Sequence, residues 1–146
     1  MIGEARGNAS ITPERAAINL DDFPIPENAG NCPREESCVE SGPAAYFSTL
    51  PIVAIRDALE EGIPAAISNP VSTYVCNHLF YHVMHHLAQT NSHAQAGFMH
   101  IPVFLAKRLG ATNGLDLRCE TIIQAVRVAI EGCLSLYVTS AARQVI

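Results

Sequence analysis

The sequence predicts an α/β protein with a mostly parallel sheet. Three observations lead there. Short apolar runs alternate with longer segments whose apolar residues recur at helical spacing. Turn signals, Asn69-Pro70 and Asn113-Gly114, punctuate them. The chain has 146 residues and is 49% hydrophobic, which suits one domain, residues 1–146, around one core.

Ile11 to Leu20, ITPERAAINL, reads as a short extended segment. Asp21 to Pro43 is rich in proline, asparagine, glycine and charge, and reads as a long irregular loop of the kind that often carries function. A helix follows, capped by Ser48 or Thr49, with Pro51 in its first turn. Ile52, Ile55 and Leu59 form its inner face and Gly62 ends it. Ile63 to Ser68, IPAAIS, has the character of a buried parallel strand. Val75 to Gln89 reads as a second helix with Leu79, Val83 and Leu87 inward. Thr90 to Ala96 is a polar loop, and Gly97 to Leu105 is another strand. The last helix runs from about Leu117 to Ser140, with Ile122, Val126, Ile130 and Cys133 inward.

Charge and hydropathy narrow the function. The net charge of -5 offers no basic footprint, so no nucleic-acid partner is expected. No window approaches about 18 unbroken apolar residues, so no membrane span is expected. MIGEARGNAS has no apolar core of a signal peptide, and a cytoplasmic location follows. Five cysteines without a framework spacing then read as reduced thiols.

The chemistry concentrates in Ser68 to Leu87, SNPVSTYVCNHLFYHVMHHL. Cys76 falls in the first turn of a helix after a strand. Unpaired backbone N–H groups and the positive end of the helix dipole favour a thiolate there. The plainer reading, favoured by position alone, is a small buried hydrophobe. A nucleophilic cysteine needs a base and an orienting group. His100 lies within a strand pattern, where a lone histidine is ordinarily a core residue, and Glu14 stands beside Arg15, where a surface ion pair is the bland account. His78, His82 and His85 share one helical stripe, but no carboxylate or cysteine lies on it. They read as neutral histidines on a half-exposed face, and no metal is expected. Cys119 and Cys133 read as core filler.

ITPERAAINLDDFPIPEN, GPAAYFSTLP, GIPAAISNPVSTYVCNHLFYHVMHHL and AGFMHIP together resemble the pyroglutamyl-peptidase I family of cytosolic cysteine peptidases (family C15, the pyrrolidone-carboxylate peptidases). The resemblance covers nearly the whole chain, in order. It implies a three-layer α/β/α domain and a Glu-Cys-His triad, carried here by Glu14, Cys76 and His100. It further implies that Tyr74, Val75 and Ile25 line a lactam pocket, that Glu4 stands where the family has a lactam-contacting glutamine, and that no cofactor is used. The substrate would be a peptide with N-terminal pyroglutamate. Relatives form homo-oligomers, so a dimer or tetramer is expected.

The sequence departs from the family pattern in three places. The family's opening strand and GFDPFGG-like loop have no counterpart, so the chain reads as lacking about the first third. GEARG replaces GQAGG, so Glu4, beside Arg6, can only accept where an amide could donate. SNPVSTYVC replaces SNTAGTYVC, and Pro70 stiffens the approach to the cysteine. Two alternatives to the peptidase therefore stand: an inactive derivative, or a Cys-His amidase of altered specificity.

Overall fold

The computed structural model describes residues 1–5, 8–69, 72–102 and 119–143, with the side chains of 119 and 136–143 left aside. The chain folds as two compact units. The first comprises Met1, Glu14–Leu50 and Ser68–Phe98; the second comprises Ile2–Pro13, Pro51–Ile67 and the segment from Met99 onward.

In the first unit, Ala16–Ile18 (β3) pairs antiparallel with Ala45–Phe47 (β4), Ala17 opposite Tyr46. The helix Val75–Gln89 (α2) packs on both. Ala17, Phe80, Tyr81, Met84 and Phe98 form its core. Burying side chains as large as Phe80 and Tyr81 contributes about 1.5–3 kcal/mol each. The buried face of α2 is Asn77, Phe80, Tyr81 and Met84, not the expected Leu79, Val83 and Leu87; Leu79 is 46% exposed. The true face keeps i, i+3, i+4, i+7 spacing, but a polar residue heads it, so a count of apolar residues slips by two positions.

In the second unit a three-stranded sheet has the order β1-β5-β2, where β1 is Ile2–Ala5, β2 Thr12–Pro13 and β5 Met99–Pro102. β1 runs parallel to β5 and β2 antiparallel. The helices Ile52–Glu60 (α1) and Cys119–Arg143 (α3) pack together. Ile52, Ile55 and Leu59 of α1 are buried, as their spacing predicts. Thr49 and Ser48 do not cap this helix: Pro51 holds the cap position without a side-chain bond. The Thr49 hydroxyl instead bonds Ala96, in the first unit. On α3 the buried residues are Ala125 and Ala129, and Gly132 approaches Ile55. The expected inner residue Ile130 is 53% exposed. Small side chains, not large ones, face α1 here.

Ile63 to Ser68 is neither a continuous strand nor buried. It makes two isolated parallel bridges, Ile11 with Ala65 and Glu14 with Ser68. Ile11 N–H donates to the Pro64 carbonyl at 2.9 Å and Ala66 N–H to the Ile11 carbonyl at 3.0 Å. The next donor in a parallel ladder is the amide of residue 13, a proline, so the ladder breaks there. Of the expected strand Gly97 to Leu105, residues 103–105 lie outside the described residues, as do Arg6, Pro70 and the Asn113-Gly114 turn.

Candidate active site

The first unit holds five of the seven sequence-predicted site residues: Glu14, Ile25, Tyr74, Val75 and Cys76. Glu4 and His100 belong to the second.

Glu14 follows β2. Its N–H donates to the Phe98 carbonyl at 2.8 Å, and the next residue, Arg15, donates its N–H to Ser68 at 3.1 Å. The Arg15 guanidinium turns to Asn69 Oδ1, 2.7 Å away. Glu14 is half-buried.

Cys76 is the second residue of α2 and half-buried against the Phe80–Tyr81 core. Tyr74 occupies the N-cap without a side-chain cap bond. An α-helix leaves its first N–H groups without intrahelical partners, so backbone donors stand available around the sulfur. The loop before the cysteine is tied down from one side. Thr73 Oγ1 donates to the Asp22 carbonyl at 2.8 Å, and Asp22 N–H returns a bond to the Thr73 carbonyl at 3.1 Å. The Tyr74 ring meets Phe23 edge-on at 4.9 Å, and its hydroxyl reaches the Pro26 carbonyl at 3.4 Å. This brings Tyr74 against the segment that carries Ile25. Ile25 and Val75 present apolar surface to solvent, at 61% and 39% exposure.

Three residues escaped the sequence reading. Asn77 is buried and clamps the first turn of α2 onto the end of β3 and the residues just beyond. Its Oδ1 accepts from Ile18 N–H at 2.9 Å, and its Nδ2 donates to the carbonyls of Ile18 at 2.9 Å and Leu20 at 3.0 Å. The clamp fixes the cysteine's helix to the strand that begins two residues after Glu14. Asp21 and Cys38, both from the long loop, meet His78: Asp21 Oδ2 lies 2.6 Å from His78 Nδ1, and the Cys38 thiol donates to Asp21 Oδ1 at 3.2 Å. Burial, with Asp21 alongside, pushes the Cys38 thiol up to about 12. Desolvation and the neighbouring His78 hold His82 below the ordinary imidazole value. Two histidines of the stripe are engaged by hydrogen bonds: His78 faces Asp21 and His85 Nδ1 meets the Tyr46 hydroxyl at 2.9 Å. His82 packs on His78, ring centroids 4.3 Å apart, and its buried Nε2 has no hydrogen-bond partner among the described residues.

In the second unit His100 lies in the middle strand β5, half-buried, opposite Gly3 of β1 and Thr12 of β2. Glu4 is exposed on β1, opposite Ile101.

The model of the family described as pyroglutamyl peptidase matches residues 1–135. The chain belongs to the pyroglutamyl peptidase family. It is 49% identical over 135 residues to a pyrrolidone-carboxylate peptidase of Vibrio vulnificus, covering 92% of this chain and 62% of that one. It also resembles the crystal structure of pyroglutamyl peptidase I from Bacillus amyloliquefaciens, with a TM-score of 0.82, 41% identity, and coverage of 90% of this chain and 63% of that one. For pyrrolidone carboxyl peptidase from Thermococcus litoralis the TM-score is 0.84 at 32% identity, covering 95% and 66%. These likenesses establish the α/β fold. The chain spans just under two thirds of the length of these relatives.

Proposed function

We propose that the protein is a cysteine peptidase that removes N-terminal pyroglutamyl residues from peptides, with Cys76 as nucleophile, His100 as general base and acid, and Glu14 as the group that orients the imidazole. The observation that carries this reading is the seat of Cys76, in an uncapped first helical turn pinned by Asn77 to the strand after Glu14. Family membership supplies the chemistry for that seat. His100 takes the thiol proton, and the sulfur attacks the pyroglutamyl carbonyl. First-turn N–H groups receive the oxyanion. The peptide amine leaves with the proton from His100, and water then releases pyroglutamate from the thioester by the same base. Tyr74, Val75 and Ile25 would line an apolar slot for the flat lactam ring, with Glu4 at its polar edge.

The reading extends to residues 1–146 acting as one domain, since the family match runs through both units. It extends to a peptide partner, a homo-oligomer and the cytoplasm. Ile123, Ile130 and Leu134 support the homo-oligomer: they are more than half exposed at spacings of seven and four, one apolar stripe along α3. No helix among the described residues is long and apolar enough to cross a membrane.

The test is hydrolysis of a pyroglutamyl-coumarin amide beside prolyl and alanyl analogues. Cleavage of the first alone, abolished in Cys76→Ala at unchanged circular dichroism, is the expected result. A folded chain that cleaves none would be an inactive derivative, and one that cleaves other amides would be an amidase of altered specificity.

A further inference from the structure

Three donors of different chemistry meet: a carboxylate oxygen of Asp21, the Cys38 sulfur and a ring nitrogen of His78, all within 4.8 Å of one another. Asp21 is 5% exposed, and among the described residues it has no arginine or lysine within ion-pair distance; only His78 stands opposite. The three open onto a cleft of about 680 Å³ whose wall adds Glu27 and Glu36 but no lysine or arginine. Apart from His78, no basic side chain lines that cleft. The surroundings already hold the donors in place. Asn77 Nδ2 points at the Cys38 sulfur from 3.8 Å, as N–H groups do toward metal-bound thiolates.

We propose that Asp21, Cys38 and His78 form a binding site for a divalent cation of the zinc class, with the fourth position open to the cleft. Carboxylate, thiolate and imidazole are the ligands that such a borderline-soft ion takes, three protein groups leaving one place for water. Tetrahedral bonds of about 2.0–2.3 Å set neighbouring ligand atoms about 3.4 Å apart. Cys38 Sγ and Asp21 Oδ1 are already 3.2 Å apart. His78 Nδ1 lies 2.6 Å from the other carboxylate oxygen, Oδ2, so the Asp21 carboxylate has to turn for one of its oxygens to join both partners on one ion. The His78 side chain is 45% exposed. On binding, the Cys38 S–H bond breaks, the sulfur–metal bond forms and the proton passes to water. The imidazole proton that faces Asp21 leaves Nδ1 through water and Nε2 takes one up, so the ring stays neutral and Nδ1 is free to bind the metal. Nothing is oxidised or reduced.

The experiment uses the full chain carrying Cys32→Ala and Cys76→Ala, which removes the other thiol of the cleft wall and the proposed nucleophile, and reads cobalt(II) and zinc directly. One cobalt per chain should give a near-ultraviolet sulfur-to-cobalt charge-transfer band that zinc displaces. Titration calorimetry in buffers of different ionisation enthalpy should count one proton released per ion. Zinc at a hundredfold excess over its Kd should raise Tm by about 5–10 °C. Cys38→Ala should abolish the band. His78→Gln, at a half-exposed position, should fold normally and weaken binding by about tenfold or more. Absence of the band, or its persistence undiminished in Cys38→Ala, would overturn the site. If Cys38→Ala does not fold, unchanged affinity in His78→Gln overturns it instead. No readout depends on peptidase turnover, so the proposal stands or falls apart from the assigned function.

Discussion

The two long helices are held by opposite means. α2 is fastened at its first turn by polar side chains: Asn77 grips β3 and the residues after it, and His78 meets Asp21. α3 is seated by smallness: Ala125 and Ala129 are buried and Gly132 lies close to Ile55, while large apolar residues point outward. Directional hydrogen bonds fix a helix in rotation and along its axis, as a nucleophile at its start requires. A small-residue face fixes how closely two helices approach and leaves the bulky side available to a further surface. The difference separates a helix that positions chemistry from one that presents surface.

The sharpest way to break the contrast is Asn77→Ala. It leaves the part-buried Ile18 N–H and Leu20 carbonyl without their Asn77 partner, removes one of two donors to the Ile18 carbonyl, and should cost about 3 kcal/mol in urea unfolding. A loss below about 1 kcal/mol would mean the clamp is not what seats α2. An activated Cys76 should react with iodoacetamide at neutral pH before the other cysteines; if the clamp also aligns it, Asn77→Ala should remove that preference. Next in size is Ala129→Leu, which drives extra methylenes into the face that meets α1 and should cost about 2 kcal/mol. A neutral result would show that face to be loosely packed.

A smaller effect is expected from pH. Burial raises the Cys133 thiol above its ordinary value of 9.0. The folded chain therefore holds that proton more tightly than the unfolded chain. The resulting stability is fully present below about pH 9 and is lost as pH climbs through the raised value. Between about pH 8 and 11, Cys133→Ala should flatten the fall of the urea midpoint; parallel curves for both proteins would contradict this. Smallest of all, Ile130→Gln should change monomer stability by less than about 0.5 kcal/mol. Its effect belongs in sedimentation, where weakened self-association is expected.

The same contrast explains what the sequence could reveal. α1 was legible because its buried residues are its large apolar ones, Ile52, Ile55 and Leu59. The phases of α2 and α3 were not, because an asparagine heads one buried stripe and alanines make the other. Hydropathy counts register neither as interior. The seat of Cys76 at the second position of α2 was legible from local signals alone. The meeting of Asp21, Cys38 and His78 was not. It joins residues up to 57 apart along the chain through a loop whose path no periodicity describes. The short β1 and β4 strands also escaped, since their pairing partners lie far off in sequence.

One amide nitrogen at residue 77 carries more than its size suggests. The substitution Asn77→Asp keeps the shape and exchanges that donor for an oxygen. Two attractions toward the carbonyls of Ile18 and Leu20 then become two repulsions. Exchange of a single nitrogen atom would release the cysteine's helix from its strand.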